Sequence, residues 1–210
     1  MKDTVKVFVN GLMDRDLNYY KVVKIGTQTW MAENLNVGRM IYGGVEQTDF
    51  QTIKKYCYNN DDRNCKIFGG LYQWSEMMLG AQPDTGITGT TQGICPTGWH
   101  IPTIKEWNTL ISYLDETVAG VKLKEAGITH WKAGNVATNE SGFTALPGGI
   151  WDGYIFDLIT THEYIWTATT DQNSGSDYAT QLGHNSERVF FPKFQGKQAT
   201  AVRCIMDPPK

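Results

Sequence analysis

The sequence predicts an α+β domain of short antiparallel strands with two or more helices, rich in loops and stapled by disulfides. Three observations carry that reading. Seven Trp, ten Tyr and 22 Gly stand against only 20% charged residues, a mixture that suits ring-filled cores and glycine-set turns better than a helical bundle. Helical periodicity is confined to two stretches, whereas the second half breaks into brief β-rich runs split by Gly, Asn and Asp. The four cysteines, Cys57, Cys65, Cys95 and Cys204, span both textures, which favours one domain.

In chain order, Tyr19–Met31 holds two β-rich runs around a turn with Gly26 and reads as a hairpin. Glu33–Tyr56 shows no sustained period and reads as loop. Between Gly69 and Leu79, Leu71, Trp74, Met77 and Met78 recur three or four apart, one apolar face of a helix, and Gly80–Gly93 is a connection. Thr103 and Glu106 have the spacing of a capping box, and Trp107, Leu110, Ile111 and Leu114 form the stripe behind it, so a helix runs from there to about Thr117. Strands are expected at Trp166–Thr170, Tyr178–Leu182, Arg188–Phe191 and Ala199–Ile205.

Composition excludes several classes. A chain of 210 residues with 40% hydrophobic content forms a core without staples, so disordered, collagenous and fibrous readings fall away. With 19 basic against 22 acidic residues and no run of like charge, nucleic acid is not an expected partner. No apolar stretch has the length of a membrane span, and the segment from Met1 to Gly11 has no signal-like apolar region.

Cys57 and Cys65 flank the turn-forming run Asn59–Asp62, while Cys95 precedes the capped helix and Cys204 lies in the last strand. This layout reads as the disulfides Cys57–Cys65 and Cys95–Cys204, one of three connectivities open to four cysteines, and it implies an oxidising compartment. Four buried thiols in a cytosolic protein are the alternative. A zinc site through Cys95 and His100 lacks the two-to-four-residue ligand spacing of structural zinc. Asp61 and Asp62 read as an Asx-rich turn rather than a calcium site, and Asn139-Glu140-Ser141 matches a glycosylation sequon. His130 and His162, each near a polar residue, read as solvated surface. No metalloprotease, phosphate-loop, dinucleotide or nucleophile-elbow motif occurs, so no catalytic residue, metal or cofactor is expected.

Seven segments together resemble the Fibrobacter succinogenes major paralogous domain, a family of surface and secreted modules of Bacteroidetes and Fibrobacteres. They are Val23–Leu35, Cys57–Asp61, Gly70–Trp74, Cys95–Thr103 leading to Glu106-Trp107, Gly142–Gly149, Trp166–Thr169 and Val202–Cys204. The resemblance covers residues 17–207 as one domain and leaves residues 1–16 as a leader or a fragment of a preceding region. The family is similar in turn to C-type-lectin-like and formylglycine-generating-enzyme folds, through Gly98–Thr103 and the terminal Val202-Arg203. Lectin-like folds commonly bridge a cysteine near the first helices to one in the final strand, which supports Cys95–Cys204. Trp30, Trp99, Trp107 and Trp166 read as core plugs, and Leu146–Gly149 as a backbone corner.

The resemblance implies a non-enzymatic binding or adhesion module, extracellular or at the cell surface, with lipid anchoring of a precursor as a related expectation. Its partner would be a glycan or a surface protein. Expected contacts are Trp151, Asp152, Tyr154, Asp171, Asn173, Asp177, Tyr178, Asn185 and Arg188, because aromatic rings stack on sugar faces while Asp and Asn hydrogen-bond hydroxyls. One alternative is the variable receptor protein of a diversity-generating retroelement, with its varied contacts between Asn173 and Arg188. Another is a formylglycine-generating-type oxidase, which would need a late cysteine pair where only Cys204 is present.

Overall fold

The computed structural model describes residues 11–47, 50–84 and 89–208. The first turn is organised by Asp14, whose Oδ1 accepts from the backbone N–H groups of Asp16 and Asn18 at 2.9 and 3.0 Å, while Oδ2 accepts from the Tyr20 hydroxyl at 2.6 Å. It joins β1 (Leu12–Met13) to β2 (Tyr19–Tyr20), and Leu12 packs against the core, so residues 11–16 are folded together with the first hairpin. That expected hairpin forms from β3 (Val22–Ile25) and β4 (Gln28–Met31), with Gly26 at φ 59° in the turn. The stretch read as loop holds a two-residue parallel pair, β5 (Arg39–Met40) with β6 (Lys54–Lys55), too short to leave a period in the sequence.

The polar run inside the first disulfide forms a 3₁₀ turn at Tyr58–Asn60 and leads into a helix, α1 (Asp62–Phe68), with Asp61 Oδ1 capping the Arg63 N–H at 2.9 Å. The helix expected over 69–79 shrinks to α2 (Trp74–Met78), because Tyr72–Gln73 is taken up as β7 and Leu79 turns left-handed at φ 50°. Then come β8 (Trp99–His100), α3 (Ile104–Leu114), the unanticipated α4 (Ala119–Leu123), β9 (Ile150–Trp151), β10 (Phe156–Asp157), β11 (His162–Thr170) and β12 (Asp177–Gly183). The last strands are β13 (Lys193–Phe194), β14 (Ala199–Thr200) and β15 (Ile205–Met206). Both halves of the α3 capping box are made: Thr103 Oγ1 accepts from the Glu106 N–H at 3.3 Å, and Glu106 Oε2 accepts from the Thr103 N–H at 2.9 Å. The helix stops at Leu114, short of Thr117, where Asp115 turns to φ 78°. Arg188–Phe191 forms only one bridge, Phe190 to Gln181, and the single strand expected over 199–205 splits in two.

That split is what assembles the domain. β14 lies between β9 and β7 in one sheet, β15 lies between β4 and β8 in another, and Ala201 between them bridges Ile165 of the β11–β12–β13 sheet. The short stretch 199–206 therefore stitches three antiparallel sheets together. Under α3 the rings of Trp30, Trp107 and Phe143 meet at centroid separations of 4.8 to 5.9 Å. Trp30, Trp99, Trp107 and Trp166 are all buried, as expected of core plugs. Among the described residues no helix is long and apolar enough to cross a membrane.

Both expected disulfides are present, Cys57–Cys65 with Cα atoms 5.0 Å apart and Cys95–Cys204 at 5.9 Å. His100, enclosed in β8, sits between two carboxylates: Nδ1 is 2.7 Å from Asp207 Oδ1 and Nε2 is 2.8 Å from Glu106 Oε1. Burial opposes the imidazolium, but the hydrogen bonds and charges of Glu106 and Asp207 outweigh it, and the pKa of His100 rises above 6.5.

Two stability measurements check this account. Replacing Cys95 and Cys204 with Ser costs up to about 5 kcal/mol from the long loop released, against about 2–3 kcal/mol for the short Cys57–Cys65 loop, as read by calorimetry. A pKa raised on folding contributes stability that is present below 6.5 and lost as pH rises through the folded value. His100→Gln therefore lowers the urea midpoint at about pH 6, by the equivalent of about 1–3 kcal/mol, and the gap to wild type narrows by about pH 9.

Candidate binding surface

The structure gathers part of the expected contact set and disperses the rest. Asp171, Asn173, Asp177 and Tyr178 lie together at the tip of the β11–β12 hairpin. Asp171 Oδ2 accepts from Lys193 Nζ at 2.6 Å and Ser174 Oγ at 2.9 Å, and Oδ1 accepts from the Asn173 N–H at 3.1 Å. These bonds, Lys193 foremost, hold the Asp171 carboxyl near 2. Lys193 Nζ also stands 5.3 Å from the centre of the Tyr178 ring. Gln195 ties the turn from the other side, donating to Ser174 O at 3.2 Å and Ser176 Oγ at 2.9 Å. Half-burial alone pushes Asp177 up to about 6. Lys193 and Gln195 were not foreseen, since the two-residue β13 carries no pattern that places them beside the turn.

Trp151 is corrected outright. It is 1% exposed, its ring lies 4.6 Å from that of Tyr56, and pairing of β9 with both β14 and β10 turns it inward to join Leu71 and Ala199. It supports the neighbouring turn rather than touching a ligand. In that turn Asp152 Oδ1 accepts from the N–H groups of Tyr154 and Ile155, both at 2.8 Å, and Tyr154 projects with 92% of its surface exposed. Asn185 and Arg188 lie at the opposite end of the hairpin. Asp177 pairs with Thr170 at the tip, whereas Gly183 pairs with His162 at the base, and six residues of strand separate the two ends by about 20 Å. The base turn is held from beneath by the buried Lys124, whose Nζ donates to the carbonyls of Gly183, His184 and Ser186 at 2.6, 3.2 and 2.9 Å. Burial brings Lys124 down to about 8.

A cavity of about 360 Å³ opens on another face, walled by Tyr19, Glu33, Lys66, Ile67, Glu125 and Leu146. Beneath it the enclosed Arg203 donates from Nε to Asn34 Oδ1 at 2.6 Å, from Nη2 to Thr144 O at 3.0 Å and from Nη1 to Phe143 O, with its guanidinium 4.3 Å from the Phe143 ring centre. Asn34 Nδ2 in turn donates to Phe68 O and to Glu163 Oε1, both at 2.7 Å, and the Gly148 N–H donates to Glu163 Oε2 at 2.8 Å. Burial pushes Glu163 up to about 7 against the pull of Arg203, and brings Arg203 down to about 10. With both charges wholly enclosed, the network ties segments together rather than facing a ligand.

The remaining motif readings resolve locally. Cys95 is bonded to Cys204 and His100 to two carboxylates, which removes both from zinc ligation. Asp61 caps α1 and pairs with Arg63, and Asp62 pairs with Lys66. In the sequon, the Asn139 amide is engaged with Thr144 Oγ1 at 3.0 Å and accepts from the Thr144 N–H at 2.9 Å, as a turn rather than a free acceptor. His130 is not free surface either, lying 3.0 Å from Glu125. His162 is 3.1 Å from Thr161 Oγ1 and stacks on Tyr164, and burial lowers its pKa. Among the described residues there is no free cysteine and no group of three potential metal ligands.

The buried pair makes a prediction of defined sign. Arg203→Ala leaves Asn34 Oδ1 and two carbonyls without their donor and Glu163 without its counter-charge, and costs about 3–5 kcal/mol in chemical denaturation. The folded pKa of Glu163 lies above its ordinary 4.5, so its contribution is present below that value and is lost as pH rises through about 7. Glu163→Gln therefore flattens the decline of the urea midpoint between about pH 5 and about pH 8 relative to wild type.

Comparison with known proteins returned one relationship. No curated protein and no solved structure matches significantly. The model of the Fibrobacter succinogenes major domain matches residues 23–206, a stretch that runs from β3 to β15 and contains both disulfides and every member of the Arg203 network. The chain therefore belongs to the Fibrobacter succinogenes major domain family.

Proposed function

We propose that this chain is a non-enzymatic binding or adhesion module, extracellular or displayed at the cell surface, with a C-type-lectin-like arrangement that presents loops to a glycan or a protein. The observation that carries this reading is the hairpin tip, where Lys193 pairs with Asp171 and stands over the Tyr178 ring, while Asp171 also holds the turn through the Asn173 N–H. Fixed polar and aromatic side chains on a loop are what a recognition surface needs, because little conformational entropy is lost when a partner docks. The two disulfides support an oxidising location. Paired cysteines leave no thiol among the described residues for an oxidase of the formylglycine-generating type. Variation in a retroelement receptor is less well supported, because Asn173 and Arg188 lie at opposite ends of the hairpin rather than on one face.

A glycan array combined with capture from surface-protein extracts tests the placement. Tyr178→Ala or Asp177→Asn weakens the partner found by about tenfold or more, and Arg188→Ala leaves it unchanged. Binding that survives both tip substitutions and falls with Arg188→Ala would move the surface to the hairpin base.

A further inference from the structure

Four large hydrophobic side chains stand exposed on two loops that touch. Tyr42 is 68% and Val45 55% exposed on one, and Tyr154 is 92% and Ile155 59% exposed on the other. The contact depends on Gly43, where a Cβ would come within 3.0 Å of the Phe156 ring and 3.1 Å of Trp151 Nε1. A side chain at Gly43 would have to push these rings back by a few tenths of an ångström, so glycine lets the first loop rest closely on the aromatic base of the second. Each loop is fixed independently. The Gly43 N–H donates to Asn60 Oδ1 at 2.7 Å, the Tyr56 hydroxyl donates to Val45 O at 2.6 Å, and Asp152 holds the Tyr154 turn through its two N–H bonds. Lys197 spans the gap, pairing with Glu46 beyond Val45 and passing its Cβ 3.4 Å from the position a Gly153 Cβ would take.

We propose that Tyr42, Val45, Tyr154 and Ile155 form a platform for a neutral polysaccharide, stacking on the apolar ring faces of its sugars. This rests on the binding-module reading and names both a ligand class and a contact surface outside the hairpin tip. Sugar rings offer carbon-bound hydrogens on one face and hydroxyls at the edge, which matches aromatic and aliphatic surfaces carrying two phenolic hydroxyls. The four side chains present on the order of 400 Å² of apolar surface, in the range of functional patches but about half of the ~800 Å² per side that a specific protein interface covers. The Glu46–Lys197 ion pair leaves no net charge of its own at the rim, and the Asp152 carboxylate beside Tyr154 disfavours an anionic chain, so the patch suits an uncharged one.

The test is affinity electrophoresis of the whole chain through gels containing soluble β-glucan, xylan, xyloglucan or galactomannan, with pull-down on cellulose and chitin. At least one polysaccharide retards the wild type, and the retardation persists in high salt. Tyr42→Ala and Tyr154→Ala each weaken retention by about tenfold, and the Phe variants at the same positions keep most of it. Non-reducing mass and near-ultraviolet circular dichroism confirm that each variant is folded. No retardation by any of these polymers overturns the platform, whatever the glycan and protein arrays find. So does retention that survives the double Ala variant, or that falls only with Tyr178→Ala, the latter leaving the module reading intact. Concentration-dependent dimerisation abolished by Tyr154→Ala would assign the patch to a second copy of the chain and also overturn it.

Discussion

The guanidinium of Arg203 is the point on which the fold turns. Through its own donors, those of Asn34 and the Glu163 carboxylate that Asn34 and the Gly148 N–H share, it reaches the segment after the first hairpin, the end of α1, the Phe143-Thr144 corner, the Gly148 turn and β11. These segments are scattered along the sequence, and several are irregular, so their backbone carbonyls and N–H groups have few sheet partners to satisfy them. A buried polar network of this kind adds less to net stability than its bond count suggests, because both charges had to leave water. Its effect is on uniqueness, since any other packing of these loops would strand a buried charge or carbonyl.

The same geometry makes completion of the domain depend on its last strands. β15 inserts between β4 and β8, and β14 between β9 and β7, so two sheets stay open until the chain from 199 to 206 is in place. Pairings of this sequence separation form late and slowly, because loop-closure entropy is lost before the contacts reward it. Cys204 lies inside this segment and bonds Cys95 ahead of α3, so oxidation fixes the late strand covalently.

What could be read in the sequence was what is determined locally or repeated over several residues. The Thr103–Glu106 capping box, the apolar stripe behind it and the hairpin from Val22 to Met31 each carry their signal within a dozen residues. Both cysteine pairs came from layout and resemblance. Strands of two residues carry no period, so β5, β6 and β13 could not be seen, and α1 lacks the Glu or Gln that would complete a box with Asp61. Among the expected contacts, Trp151 is the one whose burial depends on distant partners. Trp151 is expected to stack on a sugar face as an aromatic ring, yet β14, nearly fifty residues later, covers it. Glu163, Lys124 and Tyr42 were missed because a charged or aromatic residue amid β-rich or loop sequence gives no sign of whether it is enclosed or displayed.

The Cys95–Cys204 bond also fixes how the domain would carry a mechanical load. Tension entering along the backbone beyond residue 204 passes through the sulfurs to residue 95, and the intervening 109-residue separation is bypassed. α3, the Phe143 carbonyl bound by Arg203, the Gly148 N–H bound to Glu163, the Tyr154 turn and the β11–β12 tip all lie within the bypassed stretch. Under tension from that side the residues between 95 and 204 cannot be drawn out past the bridge, so these loops keep their shape while the load passes to the chain outside it.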